Sequence, residues 1–200
     1  MTTWRRWFQL DECSDELGQD EQLFLGGLQQ AAARWDVGYA ASWAIRDEEE
    51  HPCLIAAVSL SDPVRRISLG EFGVHYRDHH ARGDLLHSCL HELPDEPSPI
   101  ALDVGGTPEE VAVECAAWFE TILRRPVKYS SWRNHHGQLY AEGWKFSDDE
   151  DEVELSQSYI PALAPRKQRR RLLRGGFVFG RGWRQVKGIE DPPSHERRVR

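Results

Sequence analysis

The stretch that decides the fold runs from residue 99 to 132: PIALDVGGTPEEVAVECAAWFETILRRPVKYSSW. Ile100–Val104 alternates as a short strand, and Gly105-Gly106 turns the chain. Thr107-Pro108-Glu109-Glu110 follows, with a hydroxyl three residues before an acid and proline at the first helical position. That pattern is a capping box, which satisfies amide N–H groups the first helical turn would leave unpaired. Val111, Cys115, Trp118 and Ile122 then recur at 4-3-4 spacing and form a stripe for burial. Arg124-Arg125 meet the negative end of the helix dipole, Pro126 stops the helix, and Val127 opens a new strand.

Upstream, the same logic yields a second helix and several strands. Thr2–Gln9 reads as a first strand, with Trp4 and Phe8 on one side. After the acidic stretch Asp11–Asp20, Asp20 is placed to cap a helix from Glu21 to Trp35, whose Phe24, Leu28, Ala31 and Trp35 share a face. Gly26-Gly27 weaken that helix by about 1 kcal/mol each, so packing has to support it. Tyr39–Arg46 alternates as a strand, and Cys53–Leu60 is apolar nearly throughout, the pattern of a strand covered on both faces. Val64–Arg77 is a further strand whose apolar phase changes near Gly70, which predicts a bulge or bend. Asp78–Pro99 is irregular and rich in histidine.

Downstream lie three strands, Val127–Arg133, Gln138–Phe146 and Val153–Ile160, the first two joined by a hairpin around Asn134-His135-His136-Gly137. Arg166–Arg174 is a short basic helix, Phe177–Phe179 a candidate last strand, and the residues from Glu190 on a tail. The expected fold class is α+β: antiparallel sheets with two main helices packed on one side and a short basic C-terminal helix. A βαβββ order recurs in residues 2–77 and 99–160. Duplication of one unit and coincidence both account for it. The expected organisation is one acidic domain over 1–164 and a basic segment over 165–200, a docked helix and then the tail.

Composition narrows the function classes. Eight Trp, seven Phe and five Tyr exclude a disordered chain, and no apolar run approaches the ~20 residues of a membrane span. Met1 to Arg6 lead into Trp7–Leu10 and then acids, so no secretory signal is expected. Cys13, Cys53, Cys89 and Cys115 are widely separated, without a metal-finger spacing, and a reduced cytoplasmic protein is expected. Residues 1–164 carry 13 Lys+Arg against 30 Asp+Glu, and residues 165–200 carry 12 against 3. An acidic body of net −17 repels nucleic acid and anionic membrane and attracts basic partners.

Five groups of residues are candidates for chemistry. Asp84, His87 and His91 share a face if 84–91 is helical, and two imidazoles with a carboxylate can hold zinc; the plainer reading is surface histidines in a polar connection. Cys89 beside these histidines is a candidate nucleophile without a recognisable motif, and Cys115 reads as core. Gly105-Gly106 before a helix could cradle phosphate, although Glu109 and Glu110 oppose an added anion and favour a plain turn. The acidic run Asp148, Asp149, Glu150, Asp151 and Glu152, with Trp132, Tyr140 and Trp144 on the hairpin before it, is either a solvated loop or a surface for a basic protein. Arg169, Arg170, Arg174, Arg181 and Trp183 are candidates for nucleic acid, against a reading in which the basic end pairs with the acidic body.

The Trp-rich start, TPEEVAVECAAWFETILRRPV over 107–127 and the Trp/Tyr hairpin resemble small uncharacterised acidic proteins of high-GC actinomycetes. In size, acidity and α+β pattern the chain is also similar to bacterial immunity proteins, which block a cognate toxin in the cytoplasm. That resemblance carries no catalytic motif and implies a basic toxin as partner. The expected function is therefore a non-enzymatic binding protein without a cofactor, in its most concrete form an immunity-type inhibitor of a basic protein. A metal-dependent enzyme with zinc around 84–91 and a nucleic-acid-linked regulator are the alternatives.

Overall fold

Cys53–Asp62 is apolar at nearly every position because both of its faces are buried. In the computed structural model it is the second strand of a five-stranded antiparallel sheet. The structure describes residues 7–11, 17–37, 40–47, 52–87, 91–148, 153–174 and 192–199. The chain divides into two compact units, Met1–Arg124 and Arg125–Arg200.

The first unit consists of α1 (Gln19–Ala32), β1 (Ala40–Asp47), β2 (Cys53–Asp62), β3 (Ile67–Arg77), β4 (His80–Leu85), β5 (Leu102–Gly105) and α2 (Pro108–Arg124). The strands lie in sequence order, a meander. Leu54, Ala56 and Val58 of β2 pair with Tyr76, Val74 and Phe72 of β3, and these buried side chains share the face that carries both helices. Phe24 of α1 stacks on Tyr76 at 4.1 Å, and Trp118 of α2 meets Phe72 edge-on. The two helices cross closely at Gly27, where a Cβ would lie 2.9 Å from the Ala112 methyl. At this position, tight packing is what glycine permits. The opposite face buries Cys53, Ile55, Ala57 and Leu86, with Trp43, Ile45 and Leu93 packed against them.

The capping box of α2 forms as expected. Glu110 N–H donates to Thr107 Oγ1 at 3.3 Å, and Thr107 N–H to Glu110 Oε2 at 2.9 Å. The cap of α1 falls earlier than the sequence suggests: Gly18 is the N-cap, and its N–H donates to Glu21 Oε2 at 2.8 Å. The bulge expected near Gly70 is present, because Leu60 faces Gly70 while Ser61 faces Ser68, leaving Leu69 as the extra residue. Of the expected first strand, residues 2–6 lie outside the described residues. Trp7 and Phe8 are buried in loop, and only Leu10 forms a bridge, parallel to Ala44.

Strand β4 falls in the stretch that read as irregular. It is joined to β3 by Asp78-His79, both at positive φ (49° and 62°), as the tight two-residue hairpin turn requires. Its inward positions are Ala81 and Gly83, small because α2 sits above them: a Cβ on Gly83 would lie 2.8 Å from Val74 and 3.2 Å from Trp118.

The second unit has β6 (Val127–Arg133), β7 (Leu139–Phe146), β8 (Glu154–Tyr159), α3 (Arg166–Arg174) and β9 (His195–Arg198), with sheet order β8-β7-β6-β9. The β6–β7 hairpin closes on Asn134, whose Oδ1 accepts from the N–H groups of His136 and Gln138. The tail expected from Glu190 contains a strand instead, since His195–Arg198 pairs with Lys128–Ser131. A charged edge strand of four residues has no apolar alternation by which to be recognised. Phe177–Phe179 lies outside the described residues. The order helix, then three antiparallel strands, occurs at α1-β1-β2-β3 and at α2-β6-β7-β8, while β4, β5 and β9 belong to neither run.

Candidate functional site

Asp84 lies on a strand, not a helix, so the shared face proposed for Asp84, His87 and His91 does not form. Its carboxylate is buried and accepts from Leu85 N–H (2.7 Å), Ser98 N–H (2.8 Å) and Ser98 Oγ (2.6 Å). His87 and His91 lie beyond the strand, where His91 N–H donates to the His87 carbonyl at 3.0 Å. Among the described residues no group of three His, Cys, Asp or Glu is placed to hold a metal ion. The helical face that the zinc arrangement requires is therefore absent, because Asp84 belongs to a strand.

His91 instead meets a third histidine, His75 on β3, whose Nε2 donates to the His91 carbonyl at 2.7 Å. A carbonyl only accepts, so the ring proton resides on Nε2. The His91 ring stands edge-on to Trp43 at 4.6 Å. The Nδ1 atoms of His87 and His91 are buried without a hydrogen-bond partner. Burial holds the His75 imidazole below its ordinary range, against the raising effects of the His91 carbonyl and of Asp47.

The remaining candidates fall as follows. Tyr140 and Trp144 are buried in the interior and Trp132 is half-buried, which leaves the first two no face for a partner. Asp148 pairs with Arg125 at 3.2 Å, and Asp149, Glu150, Asp151 and Glu152 lie outside the described residues. Arg169 donates to the Ala162 carbonyl at 2.6 Å, and Arg170 is exposed. Only the backbone of Arg174 is described, and Arg181, Trp183 and Cys89 lie outside the described residues. Cys53 and Cys115 are buried free thiols whose pKa burial pushes up, to about 11 and about 12, so neither is an activated nucleophile. At Gly105-Gly106, Glu110 already fills the start of α2 as its cap, and hydrogen bonds to Thr107 lower its pKa. The turn serves the helix start.

The tertiary structure gathers a different acidic group at one end of the first unit. Asp20 and Glu21 start α1, Glu109 starts α2, and Asp78 turns β3 into β4, all close enough to act on the Tyr76 hydroxyl. That hydroxyl is buried, has no hydrogen-bond partner, and has its pKa pushed up to about 12 by burial and by these carboxylates. Asp20 meets His79 at 3.3 Å and Glu21 meets Arg46 at 3.2 Å. No sequence spacing links the four acids, which come from three separated segments.

Charge divides along the same boundary as the contacts. Residues 1–124 carry 9 Lys+Arg against 23 Asp+Glu, a net of −14, and residues 125–200 carry 16 against 10, a net of +6. The second unit has a cleft of about 320 Å³ lined by Pro126, Lys128, Ser147, Glu196, Arg197 and Arg198. Among the described residues no helix is long and apolar enough to cross a membrane. No protein-family model, no curated protein and no solved structure matches the chain.

Proposed function

We propose that the chain is a non-enzymatic binding protein whose acidic first unit captures a basic protein, with an immunity-type inhibitor of a cytoplasmic toxin as the most concrete form. The supporting observation is the net −14 over residues 1–124, with Asp20, Glu21, Asp78 and Glu109 drawn together at one end. Clustered carboxylates raise the encounter rate with a cationic protein and disfavour anionic competitors. The test is affinity capture with the full chain from native extract at low salt, followed by titration of the purified pair across ionic strength. The expected result is one basic partner whose association rate falls steeply with salt. Recovery of no basic partner, or an affinity indifferent to salt, overturns the reading.

A second reading attaches to the other unit. Its net +6 and the cleft bordered by Lys128, Arg197 and Arg198 favour a phosphate-bearing ligand such as nucleic acid. Strong retention on heparin together with a mobility shift of an oligonucleotide would place this reading first.

A further inference from the structure

Residues 91–98 cross the sheet face opposite the helices and are fastened at three points. The His91 carbonyl accepts from His75 Nε2, Leu93 packs on the cluster of Cys53, Ile55, Ala57 and Leu86, and Ser98 is held by Asp84. The first fastening joins the segment to a half-buried titratable ring. The groups on this face around His75 are Asp47 of β1, Cys53 of β2, Glu71 and Arg77 of its own strand, His80, Arg82 and Asp84 of β4, and His91 of the crossing segment. Asp47 favours a charge on His75, whereas Arg82 and His91 oppose it.

We propose that residues 91–98 are a pH-sensitive strap, held down at neutral pH over neutral His75 and released in mild acid when His75 takes up a proton. Release would uncover the apolar strip of Trp43, Ile45 and Ile55. The proton enters at Nδ1, because Nε2 already carries one. The bond to the His91 carbonyl survives protonation and even favours it. What the closed state withholds is hydration of the charged ring, so the imidazolium prefers the open state. The proposal is independent of the partner reading, since it uses the opposite chemistry on a different face.

Hydrogen exchange on the full chain at pH 7.5 and 5.5, corrected for intrinsic rates, tests it. Amides of residues 91–98 are expected to lose protection by up to about tenfold per pH unit through the transition, the slope of a single proton, while α2 keeps its protection. His75→Gln can still donate to the His91 carbonyl but cannot gain charge, and should abolish the pH response. Ser98→Ala should speed exchange at both pH values and retain the response. A pH-independent wild type overturns the proposal. So does an equal response in His75→Gln, a response lost in Ser98→Ala, or a parallel loss of protection in α2.

Discussion

Asp84 accepts two hydrogen bonds from a single residue, the N–H of Ser98 at 2.8 Å and its hydroxyl at 2.6 Å. The carboxylate is 3% exposed, so neither bond competes with bulk water. Asp84→Ala strands the N–H groups of Leu85 and Ser98 and the Ser98 hydroxyl, and is expected to cost about 3 kcal/mol. Ser98→Ala removes only the hydroxyl and should cost about 1 kcal/mol. Urea denaturation checks both, and equal midpoints for the two variants would contradict the assignment.

Adjacent glycines of α1 should respond with opposite signs. A Cβ at Gly26 meets nothing within 4 Å, so Gly26→Ala gains helix propensity and should stabilise by about 0.5–1 kcal/mol. At Gly27 the same methyl lies 2.9 Å from the Ala112 methyl, and overpacking of about 1–3 kcal/mol exceeds the propensity gain. Thermal melts of the two variants are the comparison. Ala112→Gly in the Gly27→Ala background should restore part of the loss, because the two methyl groups occupy one place.

The Tyr76 hydroxyl offers a clean measurement. It is buried beside Phe24 and has no partner, so Tyr76→Phe removes a desolvated group and keeps the stacked ring. The expected change is neutral to stabilising, by up to about 1 kcal/mol. A loss above that in chemical denaturation would mean that the hydroxyl is hydrogen-bonded in solution.

The pH dependence of overall stability has a defined sign. His75 is lowered in the folded protein from an ordinary value of 6.5, first by burial. Below 6.5 the unfolded chain binds more protons at this residue, so stability falls as pH drops from there to the folded value and is level above. Urea midpoints at a series of pH values should show this slope, and His75→Gln should flatten it. A His75→Gln profile that matches wild type would remove His75 as the source.

Some of the architecture was legible in the chain because its signals are local. Thr107 and Glu110 sit three residues apart and cap α2 with no help from elsewhere. The apolar phase change at Gly70 marks the bulge at Leu69. Strand β4 was not legible because its inward residues are Ala81 and Gly83. Crowding by Trp118 and Val74 selects small side chains there, and small side chains erase the alternation by which a strand is recognised. The histidine stretch misleads for another reason: 3.6-residue spacing presumes a helix, whereas Asp84 lies near the end of a strand and His87 and His91 lie in the irregular chain beyond it.

The sequence by itself determined the α+β class, the capped second helix, the hairpin at Asn134–Gly137 and the opposition of an acidic body to a basic end. Each follows from neighbours within a few residues or from simple counts. Only the tertiary structure decided that Asp84 fastens Ser98, that His75 meets the His91 carbonyl, that Tyr140 and Trp144 are interior, and that acids from α1, α2 and the β3–β4 turn lie together. Those pairings join residues far apart along the chain, and chain closure and packing, which local patterning does not encode, select them.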